Sequence, residues 1–210
     1  IETLGIPGVL LMENAGRQAA DVVVETLRAT GGASAAVVAG AGNNEGDGCA
    51  VAQHLHLRGW TVATFLITPR EKFEGDANVN LRALERLEQD IRPVAGDLDG
   101  LAGALAGFDV VVDAVGGTGI RGALRGSAAA AVEQINAAGQ PVVAIDIPTG
   151  LDADTGRAEG PAVRARCTVT FLARKTGFDA PGATDFTGEV HVADIGVPAA
   201  WILRRSGGQG

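Results

Sequence analysis

Two hydrophobic patterns alternate along the chain. Short, nearly continuous apolar runs occupy residues 35–39, 61–68, 108–113 and 141–146, and alternating Thr and apolar residues mark a further strand at 167–172. Runs of this length, bounded by turn residues, suit strands of a parallel sheet covered on both faces. Shorter strands are predicted at 91–94 and 189–193. Between them, apolar residues recur every three or four positions. Val9, Leu10, Met12, Ala15, Ala19, Val22, Val23 and Leu27 form one helical face, with Pro7 suited to a first turn and Gly31-Gly32 as its end. Further helices are predicted over 48–58 (with Gly59 as cap), 76–89, 98–105 and 127–138, and loops over 69–74 and 148–161. Strands alternating with helices, joined by right-handed crossovers, predict an α/β fold: a three-layer α/β/α sandwich, Rossmann-like, with a mostly parallel central sheet.

The strand ends carry the polar chemistry. Val142–Ile145 delivers Asp146 to its carboxyl end, after which Pro148 and Gly150 force a turn. Val110–Val112 leads in the same way to Asp113 and the loop Gly116-Gly117-Thr118-Gly119. Residues 35–39 run into Gly40-Ala41-Gly42-Asn43-Asn44-Glu45-Gly46-Asp47-Gly48. Each loop alone reads as an ordinary strand-to-helix turn capped by Asp or Asn. Because ligands of open α/β sheets bind outside the carboxyl ends of the strands, the three together read as one shared site, with Asp146 facing the ligand.

What that site holds is narrowed by what the loops lack. Gly40-x-Gly42-x-x-x-Gly46 misses the dinucleotide fingerprint, because Glu45 stands where its last glycine belongs. No clear acidic residue ends the second strand, so a conventional hydride-transferring dehydrogenase is disfavoured. The loop either holds phosphate on its amides and the following helix N-terminus or is a plain tight turn. Arg121 and Arg125 either meet a phosphate or are solvated. Asn44, Asp113 and Thr149 offer oxygen atoms, which hard cations prefer, although these residues by themselves select no metal. His54 and His56 diverge on a helix and His191 is remote, so no zinc site is expected. Cys49 reads as core, and Lys175 as either an exposed lysine or one that reaches the strand-end site.

The chain of 210 residues suits one domain, 1–205, followed by a flexible tail or linker at 206–210. Its 46% apolar content is ample for a core, and its 31 glycines, about twice average usage, fall mostly after strands. A net charge of −8, with Lys72 and Lys175 the only lysines, argues against nucleic-acid binding. Cys49 and Cys167 form no motif and read as reduced, buried thiols of a cytoplasmic protein. No run reaches membrane-spanning length, and Ile1–Leu4 begins no signal peptide. The missing initiator methionine points to a fragment.

In order along the chain, several segments resemble one family. Leu11-Met12-Glu13-Asn14-Ala15-Gly16-Arg17, the Gly40–Gly48 loop, Asp113-Ala114-Val115-Gly116-Gly117-Thr118-Gly119 and Asp146-Ile147-Pro148-Thr149-Gly150-Leu151-Asp152 are similar to motifs of the NAD(P)H-hydrate epimerases, the YjeF N-terminal-type domain. Lys175, Thr187–Val190 and Ala193–Pro198 resemble its closing segment. The resemblance implies an isomerase of nicotinamide cofactor repair. It would interconvert the R and S forms of hydrated NADH and NADPH (NADHX and NADPHX), so that a separate or fused dehydratase can act on the S form. It implies substrate contacts at Asn43, Asn44, Glu45, Gly46 and Asp47 and at Gly117, Thr118, Gly119, Ile120, Arg121, Gly122 and Ala123, with Asp146 as acid/base at the reacting ring. It also implies potassium on Asn44, Asp113 and Thr149, and a homodimer. Arg121 and Arg70 are candidates for a 2′-phosphate. Three positions depart from the family: Glu45 for Gly, Gly116 for Phe and Thr149 for Ser, the last keeping its hydroxyl. A positive φ at Glu45 would strain it, and its charge would oppose a phosphate. The alternative is therefore a non-catalytic nucleotide-binding module of the same fold.

Overall fold

Among the described residues of the computed structural model, seven strands pair in one sheet in the order β3-β2-β1-β4-β5-β6-β7, each pair parallel. They are β1 (Ser34–Ala39), β2 (Thr61–Leu66), β3 (Asp90–Pro93), β4 (Val110–Ala114), β5 (Val142–Ile145), β6 (Cys167–Phe171) and β7 (Glu189–Ala193). The structure describes residues 5–40, 42–200 and 202. The expectations for Ile1–Leu4, Ala41, the domain end at 205 and the tail at 206–210 lie outside the described residues.

Strand side chains alternate between two cores, as the period of two requires. Ala35, Val37 and Ala39 of β1 pack with α1 (Gly8–Thr26), α2 (Asn43–Leu57) and α3 (Gly75–Arg86). Ala36 and Val38 pack on the other face with α4 (Leu101–Leu105) and α5 (Gly126–Ala137). Burial on both faces explains why β1, β4 and β5 read as unbroken apolar runs. The strand order places the topological switch point between β1 and β4, where a ligand crevice is expected. Among the described residues, no helix is long and apolar enough to cross a membrane.

Two boundaries differ most from the sequence reading. The second helix starts at Asn43, not Gly48, so the polar stretch Asn43–Asp47 is its first turn and not a loop. With Gly42 as N-cap, Glu45 takes the third helical position, where a carboxylate can reach back toward the N-cap amide. The first helix stops at Thr26, ahead of Gly31, and the Gly31 amide bonds back to the Leu27 carbonyl at 3.0 Å. The short helix α6 (Thr184–Thr187) and the 3-10 helices at Arg70–Lys72 and Thr176–Asp179 span too few residues to show a period.

Both cysteines are buried and free. Burial, then the Glu45 charge, pushes the Cys49 thiol up to about 12, and burial raises Cys167. At pH 8 only about one Cys49 thiol in ten thousand is ionised. A thiol-disulfide reagent at pH 8 is therefore expected to leave the native protein untouched and to modify both cysteines after unfolding in guanidinium. Rapid modification of the native protein would contradict the burial.

Candidate active site

Asp146 follows β5 with φ 65, in the left-handed region that residues other than glycine rarely enter, although Asp and Asn tolerate it best. The turn is held by its amide, which donates to the Val169 carbonyl at 2.7 Å. Lys175 Nζ lies 2.8 Å from Asp146 Oδ1, and Thr170 Oγ1 donates to the same oxygen at 3.3 Å. Asp47, near the start of α2, faces this group. Burial first, then the charges of Asp146 and Glu45, hold its carboxyl well above the usual range.

Asp113, the last residue but one of β4, is fully buried. Its Oδ2 accepts the Thr149 amide at 2.9 Å, and its Oδ1 accepts the Thr149 hydroxyl at 2.7 Å and the Val115 amide at 3.2 Å. Burial pushes this carboxyl up to about 6, against the pull of those donors. The Gly116 amide in turn donates to Thr149 Oγ1 at 3.0 Å, and Asn44 Nδ2 donates to the Gly116 carbonyl at 2.9 Å. The loops after β1, β4 and β5 are thus locked together at one point.

Asn44 Oδ1 is buried there without a hydrogen-bond partner. A buried carbonyl oxygen left unpaired is costly, and a hard cation satisfies one. Asn44 Oδ1, the Asp113 carboxylate and Thr149 Oγ1 are the right donors for a potassium ion, so the residues present fit it.

Beside this lock lies a cleft of about 1060 Å³ at the switch point, walled by Gly40, Gly42, Asn43, Asn44, Ile67, Thr68, Val115–Arg125, Ser127, Ala128 and Glu159. Gly40 is required there by close approach, since a Cβ would sit 2.0 Å from the Val115 carbonyl oxygen. Asn43, Asn44 and Gly117–Ala123, expected to touch a substrate, line the cleft; Glu45, Gly46, Asp47 and Asp146 do not. Over Gly116, Ile120 Cδ1 lies 2.2 Å from where a Cβ would be, so Ile120 fills the space a larger residue would take. Arg121 pairs with Asp152 at 3.5 Å and Asp154 at 3.3 Å, and Arg70 pairs with Glu85. Neither arginine meets a 2′-phosphate without leaving a carboxylate. Ile67, Thr68 and Glu159 gave no sequence signal. Lys175 was open to either reading, and the structure places it on Asp146.

Glu45 is buried and helical, and it is not among the residues other than glycine with positive φ. The strain considered for it is therefore absent, because the helix begins before it. Burial raises its carboxyl above the ordinary value.

A doubly wound parallel sheet with a polar cleft at its switch point, flanked by a strand-end aspartate, defines a Rossmann-like α/β protein with a ligand site. The chain belongs to the family described as YjeF-related protein N-terminus, whose model matches residues 9–177. It is 42% identical to a protein of Rhodopirellula baltica named NAD(P)H-hydrate epimerase, covering 94% of this chain and 79% of that one. A Pirellula staleyi protein of the same name is 40% identical, covering 96% of this chain and 88% of that protein. A Moorella thermoacetica protein named bifunctional NAD(P)H-hydrate repair enzyme is 40% identical, covering 92% of this chain and 37% of that longer protein. The crystal structure of yeast ynu0, YNL200c, superposes with a TM-score of 0.70 at 26% identity, covering 80% of this chain and 72% of that one.

Proposed function

We propose that this protein is an NAD(P)H-hydrate epimerase, an isomerase that interconverts the R and S forms of NADHX and NADPHX in cofactor repair. The observation that carries this reading is the 42% identity over 94% of the chain to a protein of that name. The geometry supports it. The cleft has room for a nucleotide, with glycine-rich backbone along one wall, and Asp146 follows β5, the neighbour of β4, whose loop lines the cleft. The contacts proposed for substrate are Asn43, Asn44 and Gly117–Ala123, which line the cleft, with Asp146 at the reacting ring.

The chemistry needs one carbon to lose and regain a hydroxyl. Protonation lets the hydroxyl leave as water, and the ring nitrogen supplies electrons to form an iminium. Water then adds from the other face and gives up a proton. A carboxyl group within hydrogen-bond reach can give and take that proton, and as a carboxylate it stabilises the cation. Asp146 is proposed for this role. A cytoplasmic location, a homodimer and functional coupling to a dehydratase belong to the same proposal.

Asn44, Asp113 and Thr149 would hold potassium. When bound, the ion supplies positive charge at the junction of the three loops and a partner for Asn44 Oδ1. Exchanging potassium for sodium at equal ionic strength is expected to lower the melting temperature by about 2–4 °C. The difference should vanish in Asn44→Ala; equal melting in both salts would remove potassium from the account.

The reading as a binding module without turnover rested on Glu45. That residue is unstrained and does not line the cleft, so the active reading is favoured. Glu45→Gly is expected to cost about 1 kcal/mol of stability, through helix propensity, and to leave turnover within about twofold. A large gain in turnover would restore the module reading.

A further inference from the structure

β6 ends at Phe171, and Leu172, at φ 69, turns the chain back toward the end of β5. This return sets Lys175 Nζ 2.8 Å from Asp146 Oδ1, while the same nitrogen donates to the Phe171 carbonyl at 3.3 Å. The Thr170 hydroxyl reaches that same carboxylate oxygen. No described residue donates a hydrogen bond to Asp146 Oδ2. Both side chains of the pair are largely buried, at 20% and 17% exposed, so solvent screens them less than a surface pair. Across from them stands the Asp47 carboxyl, a second acid that would crowd an unpaired Asp146. A lysine at a loop is ordinarily solvated. This one is drawn in, fixed on one oxygen of an aspartate whose backbone is itself in a rare conformation.

We infer that Lys175 positions Asp146 for the proposed epimerisation: it holds Oδ1, and so turns Oδ2 toward the reacting ring. The inference rests on the activity proposed above. Removing the ammonium frees the carboxylate to rotate, which weakens an interaction made in the transition state and leaves nucleotide contacts on the loops after β1 and β4 in place.

Two measurements on Lys175→Met and Lys175→Arg test it. The first needs no turnover: the carboxyl carbon resonance of Asp146, in protein labelled at aspartate and assigned by its loss in Asp146→Asn. It is expected to move in Lys175→Met and to return toward its original position in Lys175→Arg. The second is the coupled epimerase assay. Lys175→Met is expected to lower kcat by about 30-fold to 100-fold with KM within about threefold, and Lys175→Arg to recover most of the loss. An unmoved resonance in Lys175→Met, or a kcat within about twofold of wild type, overturns the inference. So does a loss shared by kcat, KM and melting temperature that arginine does not repair, which would mark a purely structural lysine. If the wild-type protein does not turn over the hydrate, the proposed activity fails by itself. The resonance then still decides whether Lys175 fixes the Asp146 carboxylate.

Discussion

Asp146→Asn is expected to lower kcat for epimerisation by about a thousandfold while nucleotide affinity stays within about threefold. Asparagine is the most informative replacement at this position. It has the shape of aspartate and shares its tolerance of left-handed backbone, so the turn at φ 65 survives. Its amide oxygen can still accept from Lys175 and Thr170, the groups that now hold Oδ1. What it cannot do is take up and return a proton, or carry a negative charge beside a developing iminium. The cleft walls at Asn43, Asn44 and Gly117–Ala123 do not include residue 146, which is why binding should persist. Steady-state kinetics with a separate binding titration check both halves. Full activity in this variant would remove Asp146 from the mechanism.

The largest expected effect on stability is at Asp113. Asp113→Ala is expected to cost about 3 kcal/mol in urea unfolding. The carboxylate is fully buried and gathers the Thr149 amide, the Thr149 hydroxyl and the Val115 amide. Alanine leaves two backbone donors unpaired in the interior at about 1–3 kcal/mol each, partly offset because a buried charge no longer has to be desolvated. It also releases Thr149, which accepts from the Gly116 amide, so the loops after β4 and β5 would lose register with each other. Asp113→Asn should cost less, since one oxygen still accepts, but its amide nitrogen must then face a donor. A loss below about 1 kcal/mol in Asp113→Ala would mean that the loops hold together without this residue.

Much of this architecture was legible because the fold is written in hydrophobic period. Doubly buried strands such as Ala35–Ala39 are dominated by apolar residues, and helix α3 shows one apolar stripe through Ala77, Leu81 and Leu84. The aspartates were legible because a charged residue at the end of such a run has nowhere to go but the sheet edge. Less legible was the start of α2. Gly and Asn over residues 43–48 look like loop, yet the same residues serve a helix's first turn, and only packing of Gly46 against Met12 and Ala77 decides between them. The reach of Lys175 to Asp146 depends on the left-handed turn at Leu172, which no local pattern announces. The filling of Gly116 by Ile120 likewise needs the loop's path, not its composition.

The most direct test mixes the R epimer of NADHX with a dehydratase specific for the S epimer, in potassium buffer, with and without this protein. Faster recovery of NADH when the protein is present is the expected result, and it would make Glu45 a tolerated variation within an active enzyme. Recovery at the uncatalysed rate, from protein that is folded and binds nucleotide, would contradict the epimerase and leave a binding module in its place.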